Sequence, residues 1–427
     1  MVSHPRERWP SRASISRRAF LARSAATATA LSGASALLAA CGGNGTTPQG
    51  QGASTGIQIA TPQNPVTLPI ADDNQPIESG LDPEAGPLKI YNWDEYIWPK
   101  VVKEFAAEYK VDFEISTFYN MEEAVSKLRT GQVDFDIFFP EIDVVPKLAA
   151  AKLLRPLNHS YIPNLKANVW PTLADPFYDR QSRYTVPYVV YTTGIAWRTD
   201  MADEDIGALE NPYEVFWDST YRGRIGIYDS YREAMSMVLL KNGITDINTD
   251  NPDHIELVEK DLGRMEEATN IRTSIAGAYE KLPQGEFAVH QSWSGDIVAA
   301  PYYFPEKDYG DPRGLLRYWW PENGKGDVNN DTIAILAGGK NPVLAHHFLN
   351  FLLDTNHAVK NFSWVGYQPP MNDLEPGQLV KDGYVVPNLE RAIVRPRDLE
   401  TGIRELALPP EVDAMWQDAW SAFKSGA

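Results

Sequence analysis

Few side chains in this 427-residue chain have the types and spacing for bond-making chemistry. There is one cysteine, Cys41, so no disulfide can form within the chain and any thiol chemistry must belong to that residue. The seven histidines show no His-x-x-x-His or His-Glu spacing. The adjacent pair His346-His347 falls in a stretch that reads as an amphipathic helix, with the pair on its surface. Carboxylates remain. Glu95 and Glu233 could be cast as the general acid and base of a secreted hydrolase. Asp331 stands directly before Thr332-Ile333-Ala334-Ile335, an apolar run beside which an unpaired acid would be costly.

The elements that position these acids can be read from periodicity. Leu88-Lys89-Ile90-Tyr91 is a short strand, and Trp93 to Tyr96 form the turn after it. Val101, Val102, Phe105, Ala106 and Tyr109 recur at helical spacing, and Val111, Phe113 and Ile115 alternate as in a strand. Met121 to Leu128 reads as a helix capped by Asn120, and Phe135 to Phe139 as an apolar strand. Strand, helix, strand, helix, strand predicts a parallel α/β sheet. Ligands of such sheets bind beyond the carboxyl ends of the strands, where Trp93 and Glu141 fall. The roughly 340 residues after Pro87 exceed one ordinary core, so two lobes are expected. Residues 42–87, rich in Gly, Gln, Pro, Ser and Thr, read as a flexible tether.

The N-terminus carries an address. Ser16-Arg17-Arg18-Ala19-Phe20-Leu21 is similar to a twin-arginine export signal, and the weakly hydrophobic run Ala25 to Ala40 is too short to span a bilayer. Leu38-Ala39-Ala40-Cys41 resembles a bacterial lipobox, which predicts cleavage before Cys41 and a diacylglyceryl group on its thiol. Residues 1–40 are therefore read as a signal peptide and 41–87 as a lipidated tether. The first 40 residues hold six Lys/Arg and one Asp/Glu, so removing their net +5 takes the chain from −18 to −23. Such a surface repels nucleic acid and attracts cations.

From about Leu88 to Lys424 the order of segments resembles the periplasmic spermidine/putrescine-binding component of ABC importers. The segments are Tyr91-Asn92-Trp93-Asp94-Glu95-Tyr96, Phe135-Asp136-Ile137-Phe138-Phe139-Pro140, and Val186-Pro187-Tyr188 leading to Thr193-Gly194-Ile195. Arg232-Glu233, Gly285-Glu286, Trp293-Ser294-Gly295-Asp296, Trp320-Pro321-Glu322, Asp331, Asn350-Phe351-Leu352-Leu353 and Gly366-Tyr367 follow in order. The resemblance implies an α/β, two-lobe type II periplasmic-binding-protein fold with a hinge and an interlobe ligand cleft. Lobe 1 would comprise 88–190 plus 331–376, and lobe 2 the segments 191–330 plus 377–427. It implies a carrier that binds and hands over without chemistry, needs no cofactor or metal, and works as a monomer. Its partners would be a membrane permease and a separate ATPase, since this chain has no phosphate-binding glycine loop followed by Lys-Ser or Lys-Thr.

A polyamine site needs aromatic walls for the methylenes and carboxylates for the ammonium groups. By resemblance the walls are Trp93, Tyr96, Trp293 and Tyr367, and the acids Glu95, Glu233, Asp296 and Asp331. The Trp293-Ser294-Gly295-Asp296 pattern and Glu95 lean toward putrescine binders. Ser230 stands where spermidine binders have an aspartate, with Asp229 beside it as a substitute, and Asn329 stands where an aromatic wall is usual. Glu141 and Asp143 occupy positions that commonly carry a hydroxyl or an aromatic. Near the C-terminus, Glu405 or Leu406 falls by a pocket position. A guanidinium compound, a cationic amino acid or a small sugar are alternative ligands of the same fold.

Overall fold

Strand β1 (Leu88–Trp93) is followed by α1 (Pro99–Tyr109), β2 (Phe113–Phe118), α2 (Met121–Arg129) and β3 (Ile137–Phe138), and β2 and β3 both pair parallel with β1. This is the arrangement the periodicity predicts. In this computed structural model, residues 59–275, 277–305, 312–321 and 323–426 are described. The export signal and Cys41 lie outside them. Asn120 caps α2 by accepting from the Glu123 amide at 2.9 Å. β3 is two residues long, and Asp136 directly before it serves as a clamp, its carboxylate accepting from the amides of Lys89 and Asn341.

After the short helix α3 (Val145–Ala150), the chain enters β4 (Thr185–Arg198), a fourteen-residue strand buried along its whole length. Then come β5 (Ile225–Ile227), α4 (Tyr231–Lys241), α5 (Pro252–Thr269), β6 (Arg272–Thr273), β7 (Val289–Trp293), α6 (Ser294–Ala299), β8 (Leu316–Trp319) and β9 (Asp327–Ile335). Helices α7 (Pro342–Leu352), α8 (Thr355–Val365) and α9 (Pro410–Ser425) follow. Among the described residues the strands form one nine-stranded sheet in the order β2-β1-β3-β9-β4-β7-β5-β6, with β8 also on β4. The antiparallel pair β4/β9 joins the two halves. Its register slips between Pro187 and Val189, and Val189 then faces Asp331. Proline has no amide to give the ladder, which suits a bulge there.

Separate apolar clusters cover the two halves. Leu88, Ile90, Phe105, Ile333, Ile335 and Phe348 lie in one; Ile195, Ile227, Met235, Leu262, Val289 and Trp416 lie in another. Burial of this kind contributes roughly 25 cal/mol per Å² of apolar surface. Among the described residues, no helix is long and apolar enough to cross a membrane.

Three expectations need correction. Residues 59–87 are not a free tether: Val66 and Leu68 are buried in a core cluster with Phe118 and Phe138. The Val66 amide bonds to Phe177 O, and the Glu84 carboxylate accepts from the amides of Val343 and Leu344 at the start of α7. Sparse apolar residues in a polar stretch are enough when main-chain bonds hold the strap. His346 is buried rather than on the surface. Its Nε2 accepts from the Asn158 amide, and burial pushes its pKa down to about 4. Asp331 lies inside β9 rather than ahead of it.

Candidate functional site

β9 alternates, so Asp327, Asn329 and Asp331 share one face. Asp331 is held by two phenols: Tyr96 O–H donates to Oδ2 at 2.5 Å, and Tyr191 O–H, from β4, donates to Oδ1 at 3.4 Å. Asp296, in the first turn of α6, is held the same way. Tyr367 donates to its Oδ1 and Tyr228 to its Oδ2, both at 2.7 Å. Glu233, in the first turn of α4, accepts from Trp293 Nε1 at 2.5 Å and from Thr193 Oγ1 at 3.3 Å.

The rings that hold these acids touch one another. Tyr96 meets Tyr367 at 5.0 Å between centroids, Tyr367 meets Tyr191 at 5.9 Å, and Tyr191 meets Trp293 at 6.2 Å. Trp293 stacks on Tyr228 at 3.7 Å with an interplanar angle of 15°. Five rings thus form one run that links Asp331, Asp296 and Glu233. Gly295 makes the run possible, because a Cβ there would stand 2.2 Å from the Tyr367 ring. Gly366, at φ +80°, lets the chain turn into Tyr367.

Burial dominates the electrostatics. It pushes Asp296 and Asp331 up to about 7, against the lowering effect of their tyrosine hydrogen bonds. Glu405 is pushed up to about 7, again by burial, with Arg232 opposing. Glu233 and Asp327 are raised well above the carboxylate range by burial and then by Glu405. Glu141 is raised by burial and then by Asp143; Asp143 is raised by burial against Arg232 and Lys147. Burial thus favours the neutral form across the set, and a nearby positive charge would favour ionisation.

Of the residues named from sequence, Tyr96, Trp293, Tyr367, Glu233, Asp296 and Asp331 come together in this network. Glu141 joins it through a main-chain bridge to Asp331, and Asp143 sits two residues on, half-buried. Trp93 packs against Phe118 at 4.7 Å and, among the described ring contacts, stands apart from the five-ring run. Glu95 is exposed, at φ 55° in the turn after β1. Ser230 occupies the N-cap position of α4 and is half-buried. Asp229 is exposed and ion-paired to Lys424 at 2.9 Å, so the substitution for Ser230 that its position suggested is not adopted. Asn329 is not a wall. It fastens the acids instead, donating to Asp327 Oδ1 at 2.8 Å and accepting from the Glu405 amide at 3.2 Å. Tyr191, Tyr228 and Asp327 were missed. Only Asp327 left a sequence signal, its alternation with Asn329 and Asp331.

The model of the family described as bacterial extracellular solute-binding protein matches residues 100–386. Spermidine/putrescine-binding periplasmic protein 1 of Haemophilus influenzae is 26% identical over 313 residues, covering 70% of this chain and 81% of that protein. The putrescine-binding periplasmic protein PotF of Escherichia coli is 25% identical over 362 residues, covering 81% and 93%. Among solved structures, the spermidine/putrescine ABC transporter substrate-binding protein PotD of Streptococcus pneumoniae matches with a TM-score of 0.62 at 24% identity, covering 79% of this chain and 98% of that one. The TpPotD lipoprotein of Treponema pallidum matches with a TM-score of 0.65 at 21% identity, with the same coverage. These structures share the two-lobed type II periplasmic binding fold, and the sheet joined through β4 and β9 is this chain's version of it. With two thirds of its length matched, the chain belongs to the bacterial extracellular solute-binding protein family.

Proposed function

We propose that this protein captures a polyamine, putrescine or spermidine, outside the cytoplasm and delivers it to the membrane permease of an ABC importer. The observation that carries the reading is the five-ring run joining three buried carboxylates. Rings cover methylenes and bind ammonium groups on their faces, and the acids neutralise the charges. A charge-assisted hydrogen bond contributes roughly 1.5–3 kcal/mol and a cation–π contact about 0.5–2 kcal/mol. Two gripped ammoniums with their walls reach the ~8 kcal/mol of a micromolar complex. A sugar would leave these acids uncompensated.

In this reading Asp331, Asp296 and Glu233 grip the ligand, Glu141 and Asp143 add negative charge near Asp331, and Tyr96, Tyr191, Tyr228, Trp293 and Tyr367 form the walls. Trp93, Glu95 and Ser230 enter as ligand contacts on sequence resemblance alone. Lobe 1 (88–190 plus 331–376) closes on lobe 2 (191–330 plus 377–427) about the β4/β9 pair, and the pairing of Val189 with Asp331 supports a boundary there. The protein is a monomeric carrier, not an enzyme. It is exported by a twin-arginine signal and anchored through a lipid on Cys41, at the outer face of the cytoplasmic membrane or in the periplasm.

The test is calorimetry on the mature chain with putrescine, spermidine, spermine, arginine and glucose, alongside Asp331→Asn. Tight binding of one polyamine that collapses in the variant is the expected result. Binding of arginine alone, or of nothing, would overturn the reading.

A further inference from the structure

Beside Trp293 three carboxylates converge, from α4, from β9 and from the segment before α9. One carboxylate oxygen from each of Glu233, Asp327 and Glu405 lies within 4.8 Å of the others. Glu233 uses Oε1 to accept from Trp293, and Asp327 uses Oδ1 to accept from Asn329. Glu233 Oε2, Asp327 Oδ2 and Glu405 Oε1 are buried and have no hydrogen-bond partner among the described residues. Glu233 is 4% exposed and Asp327 2%. Folded interiors leave few polar atoms in this condition, and three carboxylate oxygens on residues brought together by the fold mark a place where a donor is expected.

The neighbouring cations do not fill this place. Arg232 and Arg404 are buried close enough to pull the acids' ionisation back, both acting on Asp327 and Arg232 also on Glu405. Their hydrogen bonds go elsewhere: Arg232 to Leu406 O and Asn248 Oδ1, and Arg404 to Asn330 Oδ1. The two guanidiniums therefore leave the three free carboxylate oxygens without a donor, and a group that both donates and carries positive charge complements them. Geometry narrows it further. A primary ammonium has three N–H bonds at tetrahedral angles, and three acceptors ~2.8 Å from its nitrogen stand ~4.6 Å apart. A secondary amine has only two N–H bonds, and a guanidinium presents a planar fork. A hard divalent ion takes six to eight oxygens, by general preference, whereas Trp293 and Asn329 beside these acids contribute donors.

We propose that Glu233, Asp327 and Glu405 form a socket for one primary ammonium end of the ligand, so that the bound chain must terminate there in an unsubstituted amino group. The inference rests on the polyamine reading and deepens it. Asp327 and Glu405 become specificity-determining residues.

The experiment is calorimetry on the full chain with putrescine, with N,N,N′,N′-tetramethylputrescine and with calcium chloride, for the wild type, Asp327→Asn and Glu405→Gln. Tetramethylputrescine keeps both charges and loses two N–H bonds at each end. The wild type should bind it about 100-fold more weakly than putrescine. Each variant should lose about 10- to 100-fold toward putrescine and less than about threefold toward the methylated analogue. Asp327→Asn keeps the acceptor already in use and Glu405→Gln removes no hydrogen bond described for that side chain, so the unliganded variants should melt no lower than the wild type. Equal losses for the two ligands would reduce the cluster to general electrostatics and overturn the socket. Unchanged putrescine binding in both variants would overturn the socket while leaving the polyamine reading intact. Saturable calcium binding that needs Asp327 and excludes putrescine would make the cluster a metal site instead. A wild type that binds no amine defeats the polyamine reading and the socket together.

Discussion

Replacing Asp296 by Asn should make the unliganded protein more stable and the ligand complex weaker, and this pairing of opposite signs is the sharpest test of the site. Asp296 is fully enclosed, and burial pushes its pKa from the ordinary 3.8 to about 7 even though Tyr228 and Tyr367 both donate to it. A raised carboxylate is neutral in both folded and unfolded chains at acid pH and imposes no penalty there. As pH climbs past its unfolded value the unfolded chain ionises first, and stability is lost until the folded group also ionises near 7. At 1.36 kcal/mol per pH unit the penalty above neutrality is on the order of 4 kcal/mol. Asn keeps an acceptor for one tyrosine and carries no charge. Thermal melts should therefore show little difference between the two proteins near pH 4, and a gain for the variant that grows to about pH 7 and then levels. Calorimetry with putrescine at pH 8 should show the reverse, a loss of ~1.5–3 kcal/mol, or roughly 10- to 150-fold in Kd. If stability and affinity fall together, Asp296 is a structural acid and the site has been misread. If affinity is unchanged, no ammonium sits there.

Two further outcomes follow from the same geometry. Because Asp331, Asp296 and Glu405 all stand at about 7, a cation that favours their ionised forms must release protons below that pH. Affinity should rise from about pH 5.5 to about pH 8 by up to tenfold per pH unit for each proton released, then flatten; calorimetry in buffers of different ionisation heat counts the protons, and a flat profile would refute the linkage. Gly295→Ala puts a Cβ 2.2 Å from the Tyr367 ring, so it should cost ~1–3 kcal/mol of stability and abolish tight binding. Gly263→Ala, in α5 with open space around it, is the control and should leave melting and binding intact.

What sequence made legible was set by periodicity. α1 and α2 were legible because each pairs a buried face with an exposed one, β2 because its apolar residues alternate, β1 and β3 because they are short, mostly apolar runs largely buried on both faces, and Asn120 stood out as a cap. The central pair β4/β9 gave no alternation to read because both strands are buried along their whole length, and β9 carries Asp327, Asn329 and Asp331 on one face. Polar residues inside a strand read as a loop, which is why Asp331 was expected ahead of β9. Position in a motif found Trp293, Asp296 and Tyr367. Tyr191 and Tyr228 lie in segments with no local pattern, and only pairing in three dimensions brings them to the acids. The strap from 59 to 87 looked like linker because its anchors are main-chain bonds and a few isolated apolar residues, which composition averages away. His346 misled because its helix is buried on more than one face.

The site's economy rests on tyrosine. Each phenol joins the ring run through its ring and holds an acid through its hydroxyl, so ring and acid cannot be moved independently. Tyr367 belongs to the proposed first lobe and holds Asp296 in the second, while Tyr191, at the crossing in β4, holds Asp331 in the first. Without a ligand these bonds draw together acids that burial has already driven toward neutrality. On the proposed reading, a polyamine would remove that penalty by supplying the missing positive charge to both lobes at once. Closure and charge neutralisation would then be one event: a cation too short to reach acids on both sides would satisfy one set and leave the other buried and uncompensated. On that reading, selection for ligand length would come from the cost of the half-filled state, since leaving a buried group unsatisfied costs more than a typical contact contributes.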